Sequence, residues 1–181
     1  DVERKIEEVV RDVKRELDRL LEENRRSVER VERALDKLLE DSRRVVEEVK
    51  KALDDLRRRG LDERTIRELK KEIEELHKRN EKLVRELKKE IRDLLRENEE
   101  RIRKLKREID KILEELKRDK VPETDVKKII EDLRRLVREV EEHSRRTNRR
   151  LEELVKDLAR HAKRSIDRLK ELVDRARERA R

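Results

Sequence analysis

Aliphatic residues recur along almost the whole chain in steps of three and four, and only two places interrupt them with residues that end a helix. The first run passes through Val2, Ile6, Val9, Val13, Leu17 and Leu20 and continues to Leu53 and Leu56. It predicts one amphipathic helix over about residues 1–59, near ~87 Å long at ~1.5 Å per residue. Arg57, Arg58 and Arg59 suit the negative end of that helix, and Gly60 supplies a left-handed residue just past it. Leu61 then fits the apolar contact that follows, and Asp62 is expected to cap a second helix.

The second seam runs from Ile66 through Ile73, Ile91 and Ile109 to Leu116, predicting a helix over about 62–118. The break that follows, Asp119 to Thr124 (DKVPET), holds the one proline. Either Thr124 caps the next helix or Pro122 occupies its first turn. A third helix, about 123–181, carries Val126, Leu133, Leu151, Leu169 and Ala176. Three helices of nearly equal length joined by short loops must be antiparallel neighbours. The expected fold is all-α: a single antiparallel up-down-up three-helix bundle over residues 1–181.

Composition narrows the class further. With 60% charged and 31% hydrophobic residues, one Gly and one Pro, the chain cannot build an ordinary mixed α/β core. The periodic apolar stripe argues against disorder. No cysteine is present, so disulfides and thiolate metal or redox sites are excluded. No apolar run approaches the ~18 residues of a membrane span, and no secretory leader is visible. A soluble protein is expected, cytoplasmic when expressed recombinantly. The core is aliphatic throughout, because Phe, Tyr, Trp and Met are all absent.

The apolar positions also repeat at a separation of 18 residues: Leu17, Leu35 and Leu53; Ile73, Ile91 and Ile109; Leu133, Leu151 and Leu169. Eighteen residues in five turns is 3.6 per turn, which predicts long, nearly straight helices with stacked layers rather than a supercoil. Solenoid repeats would show turn signals in each period, and none occur.

Against this regular seam, polar residues stand where aliphatics should be. Residues level with one another in the first two helices have numbers summing to roughly 122, and in the second and third to about 242. One expected layer contains Asn24, Ser27, Asn98, His143, Ser144, Thr147 and Asn148. The other, one repeat away, contains Ser42, His77, Asn80, His161 and Ser165. A buried amide or hydroxyl costs roughly 1 to 3 kcal/mol unless it is paired, so grouping within a layer lets these residues satisfy each other. Two buried hydrogen-bond networks that fix helix register are expected. The plainer alternative places Ser27, His143 and Asn148 at the helix boundary, facing water.

Other functions find little support in the residues. No HExxH, glycine-rich phosphate loop, Ser/His/Asp order or paired pocket carboxylates occur, so no enzyme, cofactor or metal is expected. His77 and His161 alone lack the ligand count zinc needs. His77 replaces Leu95 and Leu113 of its own repeat, so protonation could disturb a network built on neutral imidazole. The net charge of +8 is concentrated on the third helix, densest at Arg145, Arg146, Arg149 and Arg150. Without aromatics for base stacking, these read as a solvated face rather than a specific nucleic-acid site.

Equal helices, an aliphatic-only core, the GLDERT turn, the VPET loop, Glu/Lys/Arg surfaces and registered Asn/Ser/Thr/His positions together carry a resemblance over the whole chain. The sequence resembles a computationally designed helical bundle with buried hydrogen-bond networks. That resemblance implies a very stable structural scaffold, a monomer without natural substrate or required partner. It departs from the commonest pattern in carrying three histidines near the networks. The alternative is an interaction or pH-responsive switch module, in which a helix pairs with a designed helical partner or a second copy, or the histidine layers open in acid. A natural spectrin-like rod is disfavoured by the missing aromatics and the regular layers.

Overall fold

The computed structural model describes residues 2–118 and 122–180. Three α-helices account for nearly all of them: α1 (Val2–Arg58), α2 (Glu63–Arg118) and α3 (Glu123–Ala180). No strand occurs among the described residues, and the helices pack against each other as an all-α three-helix bundle.

The turn between α1 and α2 is built as its sequence requires. Gly60 has φ of 105°. Its N–H donates to the Arg57 carbonyl at 3.1 Å, and the Leu61 N–H donates to the Leu56 carbonyl at 3.0 Å. These two bonds satisfy carbonyls that the helix end would otherwise leave open. Leu61 is buried, which closes the turn against the core. Asp62 then caps α2: its side chain accepts from the Thr65 N–H at 3.2 Å, and its carbonyl accepts from the Ile66 N–H at 3.2 Å. Bonds from Thr65 hold the Asp62 carboxyl below the usual carboxylate range. At the start of α3 the Pro122 carbonyl accepts from the Asp125 and Val126 N–H groups. Proline therefore stands at the cap position itself, one residue ahead of the first turn, and Thr124 lies inside the helix. The rest of the DKVPET break, Asp119 to Val121, lies outside the described residues.

Packing divides into two compact units, Asp1–Glu29 with Ile91–Leu151 and Arg30–Glu90 with Glu152–Arg181. In the first, a buried cluster runs from Ile6 to Leu17 on α1, Ile102 to Leu116 on α2, and Val126 to Val137 on α3. In the second, a cluster joins Val46 to Leu56, Leu61 to Ile73, and Leu169 to Ala176. The residues related by 18 positions are among the most deeply buried: Leu17, Leu35, Ile73, Ile91 and their counterparts are 0–2% exposed. Val10, Val46 and Leu95 are buried too, while Leu21 and Leu39 are half-buried. No large hydrophobic side chain is exposed among the described residues.

Antiparallel pairing of α1 with α2 is visible in both units through ion pairs whose residue numbers add to about 124. In the first unit these include Lys14 with Asp110 at 2.5 Å, Asp18 with Lys106, and Arg25 with Glu99 at 3.3 Å. In the second they include Asp36 with Lys88, Lys50 with Glu74 at 3.5 Å, and Asp54 with Lys70 at 3.1 Å. Asp18, Asp36 and Asp54 are spaced by the same 18 residues as the core, as are Lys106, Lys88 and Lys70. Exposed pairs of this kind contribute little each, so they report the register more than they enforce it.

Two substitutions test this description. A Cβ at Gly60 would meet nothing within 4 Å, so only backbone strain opposes it. Gly60→Ala is expected to lower stability by about 1 to 2 kcal/mol in a denaturant melt. Leu35→Ala, at a fully buried position, is expected to cost about 2 to 5 kcal/mol.

Candidate functional site

The polar positions lie where the aliphatic clusters stop. In the first unit the cluster reaches Leu21, Ile102 and Val140, and the next inward-facing residues are Asn24, Asn98 and Ser144. Asn24, Asn98, Ser144 and Thr147 are all buried, at 0–4% exposure. Asn24 Nδ2 donates to Ser144 Oγ at 3.4 Å, joining α1 to α3. Asn98 Nδ2 donates to Thr147 Oγ1 at 3.2 Å, joining α2 to α3. Thr147 passes its own hydroxyl proton back one turn to the His143 carbonyl at 3.1 Å. Helix α3 is thus the hub of this layer, serving α1 and α2 from two adjacent turns.

Ser27, His143 and Asn148 are half-buried, between the layer and the boundary. His143 enters the hydrogen bonding through its backbone carbonyl. Its imidazole is held below the ordinary histidine value by burial first and by the Arg101 cation next, with Glu97 opposing and Arg146 adding to the effect. The amide oxygens of Asn24, Asn98 and Asn148 are buried and accept from no protein donor. The layer therefore uses its donors and leaves acceptors over.

The second layer is wired differently. Asn80, 4% exposed, is its hub. Asn80 Nδ2 donates to Ser42 Oγ on α1 at 3.2 Å. Asn80 Oδ1 accepts from His161 Nε2 at 2.7 Å and from the buried Ser165 hydroxyl at 3.5 Å, both on α3. Ser42, His77 and His161 are half-buried. Ser42 Oγ lies 3.3 Å from His77 Nδ1, and His77 Nε2 lies 2.7 Å from a Glu81 carboxylate oxygen.

These contacts fix the hydrogens on Nε2. An amide oxygen and a carboxylate can only accept, so both histidines carry hydrogen on Nε2. The neutral His77 ring then accepts at Nδ1 from the Ser42 hydroxyl, which itself accepts from Asn80. Both the nitrogen and the oxygen of the Asn80 amide have partners, whereas the oxygens of Asn24 and Asn98 have none in the protein.

Among the twelve polar residues expected in the layers, side-chain hydrogen bonds join Asn24 with Ser144, Asn98 with Thr147, and Ser42 with His77, Asn80, His161 and Ser165, with partners that differ in part from those standing level by residue number. Thr147, not Ser144, receives the Asn98 amide. His161 and Ser165, which flank Ala162, receive Asn80. Glu81 entered no sequence-based expectation, although its place four residues after His77 on one helix face was a usable signal. Of the dense arginines of α3, Arg145 and Arg146 pair within their own helix, with Glu141 at 4.0 Å and with Glu142 at 2.8 Å. Among the described residues, no group of three or more His, Asp or Glu could hold a metal ion, and no helix is long and apolar enough to cross a membrane.

No family model matches this chain, and neither a curated protein nor a solved structure does.

The proton assignment is checked by long-range nitrogen–proton NMR of the imidazoles at neutral pH, where His77 and His161 are both expected as the Nε2–H tautomer. The sign of the His143 effect is also testable. With its folded value depressed, the unfolded chain binds a proton first, so stability is full above about pH 6.5 and declines as pH falls through the folded value. His143→Gln is expected to flatten the fall of Tm between pH 7.5 and 5.

Proposed function

We propose that the chain is a de novo designed structural scaffold without biochemical activity, a monomeric three-helix bundle whose two buried polar layers specify helix register. The observation that carries this reading is the pairing of two facts. Each layer ties helices together through buried side-chain hydrogen bonds, and no large hydrophobic side chain is left exposed among the described residues to recruit a partner. A bundle made to bind a further helix needs an apolar stripe to offer it. The scaffold requires no cofactor, metal or partner, and its basic face serves solvation rather than nucleic-acid recognition.

The unlike wiring of the layers supports a role in specificity. A core of identical aliphatic layers fits itself in more than one way, whereas the Asn24–Ser144 and Asn98–Thr147 bonds form only where those residues stand level. Such devices reduce stability and increase uniqueness.

The acid-opened switch has one observation in its favour, the depressed His143. The second layer speaks against it. Protonated His77 would face the Glu81 carboxylate, and its new Nδ1–H would donate to Ser42 Oγ after a turn of one hydroxyl. His161 already donates through Nε2, so a second ring proton leaves its bond to Asn80 intact.

Light-scattering mass combined with circular dichroism at pH 7.5 and pH 4 tests the proposal. The expected result is a mass near 22.4 kDa and a helical spectrum at both pH values. A dimer at neutral pH contradicts the self-contained scaffold, and loss of helix at pH 4 restores the switch.

A further inference from the structure

The second layer is a smaller copy of the first. Moving by 18 residues, Asn24 becomes Ser42, Ser144 becomes Ala162 and Thr147 becomes Ser165, while Asn98 and Asn80 match. Together these changes remove about four side-chain heavy atoms, and nothing larger replaces them at those positions. A cavity of about 70 Å³ lies at this place, between Ser42, Asn80, Ala162 and Ser165. Leu38, Val45 and Leu169 form part of its apolar wall.

The geometry points to this cavity as a binding site for a small neutral hydroxyl donor, either water or a two-carbon alcohol. Size sets the first limit. An engineered cavity of about 150 Å³ holds benzene and water takes up about 30 Å³, so 70 Å³ accommodates two waters or one molecule of about three heavy atoms. Hydrogen bonding sets the second. Asn80 gives one amide hydrogen to Ser42, and its oxygen accepts from His161 and Ser165. Ser165 donates its proton to Asn80, and Ser42 donates its proton to His77. What remains to a guest is the second Asn80 amide hydrogen and acceptor lone pairs on the two serine oxygens, so the guest must be able both to donate and to accept, as a hydroxyl does. Asp41 at the lining disfavours anions, and the aliphatic wall suits the carbons of an alcohol. With so few atoms in contact, alcohol binding is at tightest about millimolar.

The test is methyl NMR on the intact chain, with ethanol as the probe. In the unmodified protein a saturable ethanol shift confined to the methyls of Leu38, Val45, Ala162 and Leu169 identifies an alcohol site. A water cross-peak to the Ala162 methyl, without an ethanol response, identifies a water site. Ala162→Val, which fills the space, should abolish either signal and leave Tm unchanged or higher; Ala162→Ser, a smaller change, serves if the valine variant does not fold. Absence of both signals overturns the site, as does a linear, unsaturable ethanol shift spread over all methyls, or a response that survives filling of the cavity.

Discussion

An amide side chain inside an aliphatic core costs free energy for each hydrogen or oxygen left without a partner, and the three buried asparagines meet that demand to different degrees. Asn80 is matched at both ends, by Ser42 on one side and by His161 and Ser165 on the other. Asn24 and Asn98 donate to Ser144 and Thr147, while their oxygens accept from no protein group. At roughly 1 to 3 kcal/mol for each unmet buried group, the first layer is the costlier of the two. It is also the drier in composition, because the histidines of the second layer reach outward to Glu81 and the boundary whereas Asn24 and Asn98 are sealed.

The aliphatic core cannot by itself distinguish one layer from the next. Leu17, Leu35 and Leu53 are equivalent by residue type and by burial, and the ion pairs Asp18–Lys106, Asp36–Lys88 and Asp54–Lys70 repeat with the same period. Within one chain the turn at Gly60 excludes a slip of a whole repeat, which is about 27 Å at 1.5 Å per residue. It leaves open smaller slips of one helical turn and exchange of helices between copies. In the proposed scaffold, those are the alternatives that the polar layers disfavour, since each would separate a buried amide from its hydroxyl and leave both unmet.

Much of this was legible in the sequence because it follows from period and punctuation. The 3.6-residue seam, the Gly60 and Asp62 signals and the 18-residue spacing determine which residues face inward and which stand level. The polar layers follow from the same spacing. Partner choice does not, because a level is about one turn thick and Ser144 and Thr147 both fall within it; side-chain length and rotamer decide that Thr147 takes Asn98. The start of α3 was equally open, since Thr124 suits a cap and Pro122 a first turn, and the carbonyl bonds to Asp125 and Val126 put Pro122 at the cap instead. The cavity beside Ala162 is visible only once volumes are compared across the repeat, position by position.

In the proposed scaffold the polar layers specify a single packing at the expense of stability. The most direct measurement is the amide nitrogen–proton NMR spectrum of a variant carrying Asn24→Leu, Asn80→Leu and Asn98→Leu, recorded beside that of the parent chain and followed through denaturant. A higher denaturation midpoint with more than one set of resonances for the core amides is the predicted result. One sharp set, as well dispersed as the parent's, would contradict it.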